Sequence, residues 1–62
     1  MTGEIMRRRC EALINALVGK EYAPLWWNSP NKAFAGSTPE QVYEVDPTSI
    51  YAYLVKSAEG EW

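Results

Sequence analysis

The stretch that decides the fold runs from residue 26 to residue 39 and reads Trp-Trp-Asn-Ser-Pro-Asn-Lys-Ala-Phe-Ala-Gly-Ser-Thr-Pro. It places two adjacent tryptophans before a Ser-Pro-Asn turn and ends at a Thr-Pro pair. A residue that precedes proline is pushed towards extended geometry, so the helix that carries the tryptophans should end near Asn28. We expect this stretch to join two helices and to supply the centre of a small core.

The end of the stretch predicts the start of a helix. Thr38 is the expected N-cap, Pro39 the first helical residue and Gln41 the reciprocal partner in a capping box. Phe34 is expected to pin the connection to the core, and Gly36 to adopt a positive φ just before the helix. Asn31 can steady the turn by bonding its own backbone. The helix itself should end around residues 44–45.

Working outward, apolar spacing predicts three further helices. A first helix over about residues 3–18 has Thr2 as N-cap and Gly19 as stop. A second, short helix has Pro24 in its first turn. A last helix over about residues 47–58 begins after Asp46 and ends at Gly60. The first helix carries an apolar face of Met6, Cys10, Leu13, Ile14, Leu17 and Val18, and the last one a face of Ile50, Tyr51, Tyr53, Leu54 and Ala58. The predicted fold is all-α, a single domain of four short helices spanning residues 1–62.

Composition excludes several classes of site. Cys10 is the only cysteine and there is no histidine, so neither a disulfide nor a structural zinc site of Cys and His ligands can form. The lack of histidine also removes the commonest general base, and there is no glycine-rich phosphate loop. We expect no catalytic residues, no metal and no cofactor. Cys10 is expected to be a small buried apolar residue in a chain located in the reducing cytoplasm.

Charge is distributed unevenly along the chain. Residues 1–20 carry four basic and two acidic side chains, whereas residues 21–62 carry two basic and six acidic ones. The arginines at 7–9 spread over roughly 200° of a helix, because successive residues are about 100° apart. Pairing of Arg7 with Glu11 and of Arg8 with Glu4 is expected instead of nucleic-acid binding. The acidic part suits a basic protein surface, and no apolar run approaches the about 20 residues that span a membrane.

Large aromatic residues are the most informative feature of so short a chain. Trp26 and Trp27 point about 100° apart on a helix, so we expect one in the core and the other at a rim or an interface. Tyr51 and Tyr53 diverge by about 200° for the same reason. Trp62 lies beyond Gly60 and is expected to dock, either on its own domain or on a partner.

The sequence motif within residues 23–39 resembles the signature of the Xre/MbcA/ParS-like toxin-binding domain of antitoxins. The resemblance covers about residues 10–61. It rests on the positions Ala23, Trp26, Trp27, Ser29, Pro30, Asn31, Ala33, Phe34, Gly36, Thr38 and Pro39, with Leu54 and Gly60 six residues apart in the last helix. It implies a small helical module that binds a cognate toxin enzyme, often an NAD-consuming toxin of the RES type, blocks its active site and tends to self-associate. The motif positions are interpreted as mainly structural.

The resemblance places the partner-binding residues mostly on the last helix and tail. They are Tyr51, Tyr53, Lys56, Glu59 and Trp62. Trp27 is also predicted to bind a partner: it makes the site bulkier than the leucine that the family usually has there, and in a homodimer it would close the interface with Trp62. The N-terminal helix-turn-helix of full-length members is absent here, so autoregulation is not expected. Two alternatives remain open. The first is a stand-alone helical adaptor, of the kind that a phage or mobile element encodes, that binds a host protein. The second is a self-assembling homodimer.

Overall fold

The structure is a computed structural model and describes residues 3–60. The described chain forms four α-helices and no strand. They are α1 (Gly3–Val18), α2 (Ala23–Trp27), α3 (Pro39–Val45) and α4 (Pro47–Ala58), with a single 3-10 turn at Lys32–Phe34 between α2 and α3. The predicted all-α class and the predicted helix bounds are confirmed. The expected N-cap Thr2 and the expected contact residue Trp62 lie outside the described residues.

The first two helices are separated by a short turn that a glycine makes possible. Gly19 has a φ of +94° and its N–H donates to the carbonyl of Asn15 at 3.0 Å, which closes α1. Pro24 occupies the first turn of α2, where its missing N–H costs nothing. At the other end of α2, the Asn28 amide donates to the carbonyl of Pro24 and the Ser29 hydroxyl to that of Leu25. These side-chain bonds satisfy carbonyls that the end of a helix leaves unpaired.

One residue organises the connection from α2 to α3. The side-chain oxygen of Asn31 accepts from the N–H of Ala33 at 2.9 Å, and its carbonyl accepts from Phe34 and Gly36, both at 3.0 Å. Its own N–H donates to the carbonyl of Ser37 at 3.0 Å, which closes the loop. Gly36 has a φ of +87°, as predicted, a conformation that side chains other than glycine rarely adopt.

Helices α3 and α4 begin on similar dipeptides but are capped differently. Thr38 and Gln41 form the predicted capping box, with Thr38 accepting from the Gln41 N–H at 3.1 Å and Gln41 accepting from the Thr38 N–H at 2.9 Å. At the start of α4 the Asp46 carboxylate accepts instead from the hydroxyls of Thr48 and Ser49. Both hydrogen bonds favour the ionised form and hold the pKa of Asp46 below its usual value.

The core lies between α1 and α4, which form the most extensive helix pair, and α2 closes its side. Its buried apolar residues are Cys10, Ile14, Ala23, Trp27, Ile50 and Leu54. The predicted apolar face of α1 extends beyond this core, because Leu17 and Val18 are each 37% exposed. The chain turns away after Val18 and begins α2 at Ala23. The last turn of α1 therefore extends past the core and remains partly exposed.

Candidate functional site

The two adjacent tryptophans lie on different sides of α2. Trp27 is 5% exposed and belongs to the core, whereas Trp26 is half-buried. The division between one core ring and one rim ring is as expected, and the burial of Trp27 leaves little of its ring for the partner contact predicted from the sequence. Its indole is covered by the side chains of the folded chain itself and offers almost no surface to a partner.

The side chain that covers Trp27 is an arginine of α1. The guanidinium carbon of Arg7 lies 3.8 Å from the centroid of the Trp27 ring and 5.0 Å from that of Tyr43. Trp27 and Tyr43 meet edge to face with their centroids 5.9 Å apart. A cation over an aromatic face is attracted by the negative potential of the ring. Arg7 thereby closes the core on the side where α1 meets α2 and α3.

Two carboxylates hold Arg7 in this position. Glu40 of α3 receives both Nη atoms, at 2.6 and 2.9 Å, and Glu11 of α1 receives Nε at 3.1 Å. The bidentate pair between Arg7 and Glu40 joins positions 33 residues apart in the sequence. Glu40 is therefore the residue that ties α3 to α1. The expected pairs of Arg7 with Glu11 and of Arg8 with Glu4 are both present.

These contacts change the acid–base properties of the groups involved. The hydrogen bond with Glu40 raises the pKa of Arg7, and the same bond lowers the pKa of Glu40 below its ordinary value. Burial raises the pKa values of the Tyr43 phenol and the Cys10 thiol. Arg7 and Glu40 are thus held in their charged forms around neutral pH, and Tyr43 and Cys10 in their neutral forms.

An open cleft of about 360 Å³ lies beside this ion-pair cluster. We call it the Arg7 cleft, and it is lined by Arg7, Glu11, Asn15, Lys20, Ala23, Pro24, Trp27, Asn28 and Glu40. Its volume falls within the range of about 300–1000 Å³ typical of ligand sites. Apolar atoms of α2 form one wall, and polar side chains of α1 form the other. The cleft therefore combines a hydrophobic surface with convergent hydrogen-bonding groups.

The opposite side of α2 presents apolar side chains to solvent. Tyr22 is 49% exposed and Leu25 is 60% exposed, and half-buried Trp26 lies beside them at helical spacing. We call these three residues the outer face of α2. All five residues of the helix, Ala-Pro-Leu-Trp-Trp, are apolar. A helix that is apolar on every side is normally buried on every side, yet here the chain covers only the inner one.

Trp26 connects the outer face of α2 to α4. Its ring stacks on Tyr53 with an interplanar angle of 19° and centroids 6.4 Å apart, and Phe34 meets Tyr53 edge to face at 5.1 Å. Lys56 is exposed and lies one turn after Tyr53 on the same side of α4. Of the predicted partner-binding residues, Tyr53 thus adjoins the outer face of α2, and Lys56 lies one turn beyond it on α4.

The other predicted partner-binding residues do not join this surface. Tyr51 is half-buried on the flank of α4 opposite to Tyr53, because the two positions are about 200° apart around the helix. Glu59 follows the end of α4 and is exposed. The predicted set therefore divides between two flanks and a helix terminus.

The motif positions occupy structural places in the described chain. Ala23, Pro39 and Leu54 are buried. Asn31, Phe34, Gly36 and Thr38 build the connection between α2 and α3 or cap α3. Trp26 stacks on α4, Pro30 is exposed at the turn, and Gly60 has a φ of +80° after the last helix.

Two features were missed by reasoning from the sequence. The pairing of Arg7 with Glu40 leaves no local pattern, because the partners are far apart along the chain. The uncovered outer face of α2 did leave a signal, namely a run of five apolar residues in a helix too short to have a polar side. Leu25 could have been found from that run.

Other kinds of site find no support among residues 3–60. No cluster of three acidic or cysteine side chains suited to a metal ion is found in this part of the chain. None of its helices combines the length and apolar character needed to cross a membrane. No protein-family model matches the chain, and no curated protein or solved structure resembles it closely enough to count as a match.

Proposed function

We propose that this chain is a small, non-catalytic, cytoplasmic protein-binding module that docks on a larger protein through the outer face of α2. The observation that carries the proposal is the exposure of Tyr22 and Leu25 on a helix composed only of apolar residues. Covering that side with a partner removes from water the apolar surface that the chain leaves uncovered. Trp26 and Tyr53 extend the surface with rings of the kind that anchor protein interfaces.

The size of the chain sets how much surface a partner takes. A standard interface buries roughly 800 Å² on each side, which is about a fifth of the 4278 Å² of accessible surface on this chain. Three side chains cannot supply that area, so the contact extends along α2 and onto a neighbouring element. Tyr53 and Lys56 lie on that path, which favours an interface built from α2 and α4.

The resemblance in the sequence motif supports an antitoxin-like role for this module. In that role the partner is a toxin enzyme, and the bound chain blocks access to its active site. The motif residues build the connection that presents α2 and capped α3 at fixed positions, which is consistent with their interpretation as structural. A stand-alone adaptor for a host protein uses the same surface, and its partner is not inactivated.

The proposal is tested by binding with two matched variants. Leu25→Asp places a charge on the outer face of α2. Val45→Asp makes the same kind of change at a residue that is 87% exposed at the end of α3. Tagged chains are compared for capture of a partner from lysate of the native host, and the captured protein is then purified and titrated with each variant.

We expect the original chain and Val45→Asp to bind the purified partner equally and Leu25→Asp to lose binding. Stoichiometric loss of an enzymatic activity on binding supports the antitoxin role, and unchanged activity of the partner supports the adaptor role. Binding that survives Leu25→Asp contradicts the proposed surface. Self-association that Leu25→Asp abolishes, without any other partner, establishes the homodimer instead.

A further inference from the structure

One carboxylate that lines the Arg7 cleft, that of Glu11, accepts a hydrogen bond from Arg7 through only one of its two oxygens. Glu40 engages both of its oxygens with the two Nη atoms of Arg7, whereas Glu11 engages only Oε2, with Nε. Oε1 of Glu11 makes no hydrogen bond to the described residues. The Glu11 side chain lines the cleft and is 50% exposed. The cluster of Arg7, Glu11 and Glu40 carries a net charge of −1, and Glu11 is where that charge is accessible.

Two amide side chains extend this acceptor surface. Asn15 follows Glu11 by one turn on the same side of α1 and also lines the cleft. Asn28 donates its Nδ2 to the carbonyl of Pro24 at 3.0 Å, which leaves its Oδ1 as an acceptor. Pro24 and Trp27 supply the apolar wall between them. The cleft thus offers acceptors beside an apolar surface long enough for an aliphatic stem.

We propose that the Arg7 cleft receives an arginine side chain of the protein partner, with its guanidinium on Glu11. This inference rests on the proposed function, because it names the group by which a docked partner is anchored. A guanidinium presents several donors in a planar fork and pairs with a carboxylate and amide oxygens together. Its methylene stem packs on the exposed ring of Pro24. The partner surface that meets this side of α2 is therefore basic.

Lys20 lines the cleft together with the charged residues Arg7, Glu11 and Glu40, and its positive charge opposes the incoming cation. It is exposed, and it forms no ion pair with any described residue. Its flexible stem allows the ammonium group to move into solvent, so it reduces the affinity for arginine without blocking the site. Neutralising Glu11 and neutralising Lys20 must therefore change the affinity for arginine in opposite directions.

The experiment uses the full chain and two probes of nearly equal shape. N-acetyl-arginine amide is titrated into ¹⁵N-labelled protein, and N-acetyl-citrulline amide, which replaces the guanidinium by a neutral urea, is the matched probe. The reporters are the side-chain amides of Asn15 and Asn28 and the indole N–H of Trp27. The variants are Glu11→Gln, Lys20→Gln and the control Glu4→Gln, which removes the carboxylate paired with Arg8.

We expect saturable shifts of the three reporters with the arginine probe. Citrulline binds about fivefold more weakly, Glu11→Gln weakens arginine binding by a similar factor, and Lys20→Gln strengthens it, whereas Glu4→Gln changes nothing; a fivefold change corresponds to an ion pair of about 1 kcal/mol. Absence of reporter shifts at the solubility limit of the probe overturns the inference. Equal binding of the two probes, or equal effects of Glu11→Gln and Glu4→Gln, also overturns it.

The outcomes separate this inference from the proposed function. If arginine binding depends on Glu11 but no protein partner depends on Leu25, the arginine site is supported and the proposed docking through the outer face of α2 is contradicted. A partner that is lost with Leu25→Asp but binds Glu11→Gln as tightly as the original chain overturns the arginine anchor alone. The circular dichroism spectrum of Glu11→Gln confirms that the variant is folded, since glutamine can still accept from Arg7.

Discussion

The inner and outer sides of α2 are built from the same kind of residue and have opposite environments. On the inner side, Trp27 lies under Arg7 and against Tyr43, and it is 5% exposed. On the outer side, Leu25 is 60% exposed, and half-buried Trp26 stacks on Tyr53 and meets Trp27 edge to face. Hydrophobicity alone does not distinguish these positions. The difference is made by what packs on each side: Trp27 belongs to the core cluster and is covered by Arg7 from α1, whereas no described residue covers Leu25 in this way.

The comparison shows that a short apolar helix can contribute to stability and to binding through separate sides. The inner side contributes to folding, because its removal exposes the core. The outer side contributes little to the isolated chain and is free to meet another protein. Substitutions on the two sides should therefore separate stability from binding.

Replacing the inner tryptophan should have the largest effect. Trp27→Ala is expected to cost about 3–5 kcal/mol of unfolding free energy, the usual cost of truncating a buried aromatic residue. The total unfolding free energy of a chain of 62 residues is roughly 3–9 kcal/mol, at about 0.05–0.15 kcal/mol per residue. Much of the Trp27→Ala protein should therefore be unfolded. Trp26→Ala, on the outer side, should cost less than half as much. Urea denaturation followed by circular dichroism measures both, and equal losses would remove the distinction between the sides.

Breaking the ion pair over Trp27 should have an intermediate effect. Glu40→Gln keeps the shape of the side chain but removes its charge, and we expect a loss of about 0.5–1 kcal/mol because the pair is partly exposed. The control is Glu44→Gln, one turn later in α3 on an exposed side chain, which should leave stability unchanged. If both variants unfold at the same urea concentration as the original chain, the Arg7–Glu40 pair does not close the inner side.

The same pair predicts a dependence of stability on pH. The folded pKa of Glu40 is depressed below the ordinary value of 4.5, so its contribution is present above that pH and is lost as the pH falls through the folded pKa. Asp46 is depressed in the same direction. Stability should therefore decrease below about pH 4.5, and less steeply in Glu40→Gln, which lacks the contribution of the Glu40 carboxylate. A series of thermal melts between neutral and acidic pH measures the two slopes, and identical slopes would contradict the role of Glu40.

The smallest effect on stability should come from the outer side. Leu25→Asp is expected to change the unfolding free energy by no more than about 0.5 kcal/mol, since the residue is largely exposed. Its effect should appear in partner binding alone. A loss of stability comparable with that of Trp27→Ala would show that Leu25 belongs to the core and would end its use as a binding probe.

Local patterns predicted the helices and their caps because those features depend on neighbouring residues. Thr38, Pro39 and Gln41 define the start of α3 within four positions, and Gly36 marks the turn before it. The environment of Trp27 could not be predicted in this way. Which of two adjacent rings becomes buried depends on how α1 and α3 pack, and on a contact between Arg7 and Glu40 that the sequence does not announce.

The buried thiol of Cys10 gives this chain an internal reporter of its own opening. Cys10 is 0% exposed in the middle of α1, and burial raises the pKa of its thiol. Thiol reagents react with the thiolate, so labelling requires the helix pair α1 and α4 to separate first. The rate of labelling then counts opening events in the unmodified protein. A partner that docks on the distant side of α2 and slows this rate is binding to the closed form, and no dye or engineered residue is needed to see it.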